Sequence, residues 1–315
     1  MKDEKFLSPM TSNSIHGKGS MLETDLGRIY YEVEGRGSPV IIVPGGPGAS
    51  HTHYHPWFSR LAGRHQVVYF DPLGTGRSER RDDPRGYTLA AYAQNIEDLR
   101  LALDLASIHL IGVSFGSLPA LQYLVSHTEH VDRIVLSNGH LNAATWQAGN
   151  IDNVLRELKL LYPQRYQEMM RLRSQGMLSS DPVYQGLFNE LMPNLSWVDM
   201  DGHPELYSTG EPADDLNLDV YCAFIGDDPE WRVTGSLQGF DPSAQLAQIT
   251  VPALILTGRY CRVTPPLISY QIRDAFPDGA ARVVVFERSA HRPWAEEPEA
   301  YFRVVEEFLE EGSKR

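Results

Sequence analysis

The chain has 315 residues, 42% of them hydrophobic, and a formal net charge of −13. The acidic balance argues against nucleic acid or an anionic membrane surface as a partner. No apolar run reaches the ~18 residues of a membrane span. Two cysteines, Cys222 and Cys261, supply neither a disulfide framework nor metal-site spacing. The size suits one large α/β domain carrying an insertion.

In chain order, segment 1–20 is polar and lacks the apolar centre of a signal peptide, which predicts a mobile leader and a cytoplasmic protein. Short β-rich apolar runs then alternate with helical periodicity, the pattern of a mostly parallel sheet with helices on both faces. Strands are predicted at 28–33, 39–43, 66–70, 108–113, 133–137, 253–257 and 282–286. Helices are predicted at 89–105, 118–126, 267–275 and 298–310. The stretch 141–248 differs. It is helix-prone, rich in Leu, Met, Tyr, Trp and acidic residues, and has no clear strand. Between two sheet segments, 21–140 and 249–315, it is expected to form a helical cap. Ligands of open α/β sheets bind beyond the carboxyl ends of the strands, so such a cap would shape the pocket.

Gly112-Val113-Ser114-Phe115-Gly116 carries the chemistry. An apolar strand leads in and a helix leads out, the context in which G-x-S-x-G marks a nucleophile elbow. A serine hydroxyl is a weak nucleophile, so Ser114 needs a histidine base and a group to orient that base. The loop Val43-Pro44-Gly45-Gly46-Pro47-Gly48 follows a strand. Its glycines allow backbone N–H groups to approach a ligand. In serine hydrolases one oxyanion donor comes from this loop and the other from the residue after the nucleophile, which selects Gly46 and Phe115. His291, after the final strand and before the last helix, occupies the place of the general base. The histidines His51, His53 and His55 lack a carboxylate or cysteine at ligand spacing and are expected to lie on the surface or line the pocket; no metal is expected.

These residues together resemble the proline iminopeptidase group of α/β-hydrolases, over nearly the whole chain after the leader. The family's His-Gly-Gly-Pro-Gly loop corresponds to Pro44-Gly45-Gly46-Pro47-Gly48. Its Asp-x-x-Gly-x-Gly-x-Ser corresponds to Asp71-Pro72-Leu73-Gly74-Thr75-Gly76-Arg77-Ser78. The segment Gly226-Asp227-Asp228-Pro229-Glu230-Trp231-Arg232-Val233-Thr234-Gly235 resembles the family's cap exit with one extra residue. Gly258-Arg259-Tyr260-Cys261-Arg262-Val263-Thr264-Pro265 matches Gly-x-Tyr-Asp-x-x-Thr-Pro, which carries the triad acid. The resemblance implies an α/β-hydrolase fold with a helical cap and a cofactor-free serine hydrolase. Its substrate would be an N-terminal aminoacyl amide or short peptide, with Glu230 near the substrate's free amine. A solvated acidic loop is the competing reading of Glu230.

The chain departs from the family at two places. Pro44 replaces the loop histidine, and Cys261 stands at the acid position. A triad Asp accepts a hydrogen bond from the histidine and stabilises its charged form; a neutral thiol offers no charge. Three readings remain open: Cys261 is the third triad member, another carboxylate such as Asp71, Asp241 or Glu287 substitutes, or hydrolysis is weak. The strand end Ser137-Asn138-Gly139-His140 offers no acid. Ester, lactone or thioester hydrolysis, or acyl transfer, is the second enzymatic reading. A non-hydrolytic binder or a cyclisation enzyme is the third.

Overall fold

The computed structural model describes residues 19–198 and 211–311. Its strands are β1 (Ser20–Leu22), β2 (Ile29–Gly35), β3 (Ser38–Val43), β4 (His65–Asp71), β5 (Ile108–Val113), β6 (Val131–Ser137), β7 (Ala253–Gly258) and β8 (Ala281–Phe286). They form one eight-stranded sheet in the order β1-β2-β4-β3-β5-β6-β7-β8. β1 and β2 are antiparallel at one edge, and every pairing from β4 across to β8 is parallel. β5 and β7 are buried at every residue, which is why they read as unbroken apolar runs rather than alternating ones.

Two apolar cores cover the two faces. Alternation along the strands divides them: Val68 and Phe70 belong to one, Val67 and Tyr69 to the other. The first core takes Tyr92 and Ile96 from α1 (Leu89–Ala102) and Leu118 and Leu121 from α2 (Ser117–Ser126). The Thr88 hydroxyl caps α1 by accepting the Ala91 N–H. α1 stops three residues before the expected end, since Asp104 adopts a left-handed φ of 53° that no α-helix continues.

Between β6 and β7 the described residues contain no strand. They form α3 (Ala143–Trp146), a π-helical stretch (Gln147–Asn153), α4 (Val154–Leu161), α5 (Pro163–Ser174), α6 (Pro182–Ser196), α7 (Leu218–Ile225) and α8 (Ser243–Leu246). This insertion has its own apolar cluster, built on Val154, Leu158, Met169, Tyr184 and Leu195, and Cys261 and Val263 of the sheet domain join it. The chain closes with α9 (Pro266–Asp274), α10 (Pro293–Glu296) and α11 (Pro298–Glu310). α11 supplies Tyr301, Phe302, Val305 and Phe308 to the second core, against Phe58.

The short edge strand β1 was not expected. It is three residues long, with an exposed Ser20 and Met21, too short to carry an alternating pattern. Of the expected leader, residues 1–18 lie outside the described residues, and Ser20 already begins β1. Among the described residues no helix is long and apolar enough to cross a membrane.

Candidate active site

Ser114 sits where β5 turns into α2, with φ of 54°. A left-handed serine costs about 1–2 kcal/mol and persists only where the surroundings enforce it. The flanking glycines show how. A Cβ on Gly116 would stand 2.1 Å from the Val43 carbonyl oxygen, and one on Gly112 would stand 2.7 Å from the Gly116 carbonyl oxygen. The turn is wedged against β3 and its own first helical turn, and the serine side chain is pushed out at the carboxyl edge of the sheet.

His291 meets it there. Its Nε2 lies 3.0 Å from Ser114 Oγ. The loop is fixed from two sides: the His291 N–H donates to the Ser196 carbonyl at 3.0 Å, and the His291 carbonyl accepts from Asn138 Nδ2 at 3.0 Å. Burial, with smaller contributions from Arg292 and His140, pushes the His291 pKa down to about 3. The ring is therefore neutral near pH 7, the form a general base requires.

On the far side of the ring, Cys261 Sγ lies 3.2 Å from His291 Nδ1. The fold thus sets the cysteine against the ring nitrogen that faces away from Ser114. Burial raises its pKa to about 11, against hydrogen bonds from Thr264, so near pH 7 it is a thiol. Its seat in the apolar cluster of the insertion explains the shift. The three carboxylates considered as substitutes are engaged elsewhere. Asp71 binds His51, Asp241 binds Ser243 next to α8, and Glu287 binds Arg259 at the surface. Thr264, which sequence reasoning passed over, also reaches the histidine: its Oγ1 is 3.3 Å from Nδ1. It lies in the Cys-x-x-Thr-Pro segment already quoted, but only the fold shows which way it faces.

Gly46 and Ser114 share the lining of a cavity of about 230 Å³. Gly46 has φ of 116°, and a Cβ there would meet the Gly48 nitrogen at 2.6 Å, so the loop needs glycine. The preceding Gly45 donates its N–H to the Tyr54 hydroxyl at 2.8 Å. Phe115 is buried, and its ring packs edge-on against Trp146 and Phe224. That contact ties the residue after the nucleophile to α3 and α7.

The cavity runs from Ser114 and His291 under the insertion to Glu230, past Asn150, Gln185, Tyr221 and Met192. Glu230 is only 2% exposed, which corrects the solvated-loop reading. Asp227 next to it is exposed, but Asp228 pairs with Arg173 at 2.6 Å, Arg173 lies over the Trp231 ring, and the Glu230 N–H donates to Ser179 Oγ. These contacts fold the acidic loop inward. Burial lifts the Glu230 pKa to about 7, against Gln185 and Tyr221. Gln185 Nε2 donates to Oε1 at 3.3 Å, and Oε2 has no hydrogen-bond partner among the described residues. Nothing in the sequence marked Asn150, Gln185 or Tyr221, because they come from three separate helical stretches.

The three histidines after the glycine loop divide. His53 lines the cavity, and burial pushes its pKa down to about 4. His51 and His55 turn away toward the sheet. The absence of a carboxylate at sequence spacing did not predict their surroundings, because the fold delivers Glu32 from β2 and Asp71 from β4. Glu32 contacts His55 Nδ1 at 2.9 Å and His51 Nε2 at 3.4 Å, and Asp71 contacts His51 Nδ1 at 2.8 Å. Burial opposes the charge on His51, but Asp71 and Glu32 outweigh it and hold its pKa at about 9. The ligand atoms of Glu32, His51 and His55 lie within 4.8 Å of one another, the spacing a metal ion would use.

Comparison with known proteins agrees with this geometry. Residues 38–298 match the family described as alpha/beta hydrolase fold. A proline iminopeptidase of Heyndrickxia coagulans is 29% identical over 286 residues, covering 89% of this chain and 93% of that protein. One from Clostridioides difficile is 25% identical over 297 residues, covering 90% and 94%. The crystal structure of a Mycobacterium smegmatis proline iminopeptidase superposes with a TM-score of 0.75 at 20% identity, over 93% of this chain and 98% of that one. A parallel sheet, a strained serine at its carboxyl edge, a histidine in contact with it and a family match across that whole region have one reading: this chain belongs to the alpha/beta hydrolase fold family.

Proposed function

We propose that this protein is a serine hydrolase that works through an acyl-enzyme on small substrates or short peptides with a free N-terminal amine. The observation that carries the reading is the 3.0 Å contact between Ser114 Oγ and His291 Nε2, at a serine held in left-handed backbone geometry. Ser114 Oγ attacks the substrate carbonyl carbon while its proton passes to Nε2. The oxyanion rests on the N–H groups of Gly46 and Phe115, each such donor contributing ~3 kcal/mol to the barrier reduction. His291 returns the proton to the leaving group. A water then repeats the sequence on the ester, releasing the acyl group and restoring Ser114. Cys261 holds the imidazole as the third triad member.

Glu230 is the amine-binding group of this reading. A buried carboxylate oxygen without a hydrogen-bond partner is costly, and an ammonium entering the cavity would supply both the bond and the charge. Amine-bearing relatives of the substrate should therefore bind better as pH rises through about 7, where Glu230 ionises. Trapping the acyl-enzyme on the Ser114 peptide by mass spectrometry, with a slow aminoacyl aryl ester, tests the proposal. An acyl adduct there supports it, and turnover that leaves Ser114 unmodified removes it.

A second reading, preference for esters and thioesters over amides, is favoured by Cys261. Expelling an amine requires a well-stabilised imidazolium, and a buried thiol gives it little support. A matched pair of aminoacyl anilide and aryl ester separates the two.

A further inference from the structure

The proton inventory around His291 points to a residue outside the three so far named. Nε2 must keep its lone pair to accept from Ser114 Oγ–H, so the ring proton belongs on Nδ1. Nδ1–H faces two acceptors, Cys261 Sγ at 3.2 Å and Thr264 Oγ1 at 3.3 Å. A thiol sulfur is a weak acceptor, whereas a hydroxyl oxygen has two good lone pairs. The Thr264 hydroxyl proton is already committed. It donates to the Asn138 carbonyl at 3.1 Å, which leaves the lone pairs of Oγ1 toward Nδ1 and Sγ, the latter 3.1 Å away. The Thr264 N–H donates to Sγ at 3.3 Å, so threonine and cysteine are locked to each other.

Asn138 makes the arrangement rigid. It directly follows β6 with a left-handed φ of 44°, a conformation asparagine tolerates better than most residues. Its Oδ1 accepts the Gly258 N–H at 3.0 Å and its Nδ2 donates to the His291 carbonyl at 3.0 Å. One residue thus joins the end of β6, the end of β7 and the histidine loop, and its backbone carbonyl sets the threonine hydroxyl. Thr264 is 1% exposed and Asn138 is fully buried, so water does not compete.

We infer that Thr264 is a positioning residue of the active site: its hydroxyl, oriented by Asn138, shares with the Cys261 thiol the acceptor role that a single carboxylate would fill. This rests on the proposed Ser114–His291 chemistry. The acid end of the site is a neutral oxygen–sulfur pair, which fixes the tautomer and the ring direction without charge.

The test compares wild type with Thr264→Val, Thr264→Ser, Cys261→Asp and the double change Cys261→Asp/Thr264→Val. The rate of Ser114 acylation by a p-nitrophenyl ester is followed across pH, and long-range nitrogen NMR reads the His291 tautomer and its Nδ1–H resonance. Thr264→Val should slow acylation about tenfold, the worth of one neutral hydrogen bond, and Thr264→Ser should restore most of it. In the Cys261→Asp background, where a carboxylate takes Nδ1–H, the valine change should cost at most about threefold. The Nδ1–H resonance should move in Thr264→Val and stay in Thr264→Ser. Serine as slow as valine, or an equal loss in the aspartate background, would reduce Thr264 to a packing role and overturn the inference. Wild type that fails to acylate at all would instead remove the parent reading, and the NMR comparison would still decide on Thr264. An Nδ1–H signal unmoved by Thr264→Val overturns it.

Discussion

Replacing Cys261 by aspartate puts the charge question directly to the site. The thiol stands 3.2 Å from His291 Nδ1 and burial holds it protonated, with a pKa of about 11. An aspartate oxygen would accept the same proton with a full charge. A hydrogen bond to a charged group contributes roughly 1.5–3 kcal/mol against about 1 for a neutral one, so the imidazolium-like transition state should gain about 1–2 kcal/mol. That is roughly a 5- to 30-fold rise in kcat/KM. In serine proteases, loss of the triad aspartate to asparagine costs about 10⁴ in turnover, which sets the upper limit. The new carboxylate would be buried, but the Thr264 N–H, 3.3 Å from the present sulfur, is placed to donate to it. The assay is kcat/KM for an aryl ester and a matched anilide between pH 4 and 9, with Cys261→Ala as control. The anilide should gain more than the ester, since an amine leaving group needs a proton from the imidazolium. The pH profile should change as well. With His291 held at about 3, the wild-type rate on N-acetylated substrates, which do not engage Glu230, should stay flat down to about pH 4. A neighbouring carboxylate raises the histidine pKa, so the acid limb should appear at higher pH in the variant. A wild-type acid limb near 6–7 on those substrates would mean that burial does not hold the His291 ring neutral. A folded Cys261→Asp enzyme that gains nothing on either substrate would refute the argument.

Other consequences follow from single contacts. Glu230→Gln should raise KM for substrates with a free amine by roughly tenfold, the value of one charge-assisted hydrogen bond. It should leave N-acetylated analogues unchanged, as steady-state kinetics on the pair would show. Gly116→Ala, whose Cβ would sit 2.1 Å from the Val43 carbonyl, should prevent folding or cost more than ~3 kcal/mol, read from denaturant titration. Ser114→Gly should be inactive yet more stable than Ser114→Ala by ~1 kcal/mol, because only glycine adopts φ of 54° without strain. His291 and His140 are both held neutral by burial, with pKa values of about 3. Below the unfolded histidine value of ~6.5 the unfolded chain binds protons that the folded chain does not, so the contribution of these two should be constant above that pH and be lost between about 6.5 and 3, whereas that of His51, held at about 9, is lost as pH rises from ~6.5 to 9. Melting temperature against pH checks the sign.

Much of the site was written locally. The Gly-x-Ser-x-Gly turn lies between two elements whose apolar character is continuous, and the strand at 108–113 and the helix at 298–310 form with the expected bounds. His291 could be placed because it follows the final sheet strand, and Cys261 because its segment, Gly258 to Pro265, resembles the family motif that carries the triad acid. What stayed hidden depends on convergence of distant segments. Glu32 and Asp71 reach His51 from β2 and β4, which only sheet order makes neighbours. Glu230 looked like part of a solvated acidic loop, since nothing local shows that Arg173, Ser179 and Tyr184 gather around it and its neighbours. Thr264 lay in a recognised motif, but the direction of its hydroxyl is set by the backbone of Asn138, 126 residues earlier. β1 was missed because three residues hold no period.

The central claim is that Ser114 is an activated nucleophile served by His291. Intact mass after treatment with a fluorophosphonate tests it most directly, on wild type, Ser114→Ala and His291→Ala. The account predicts one adduct on wild type, none on Ser114→Ala, and labelling slowed by at least about 100-fold on His291→Ala. A folded wild-type protein that takes no label, or one that labels equally fast without His291, would contradict it.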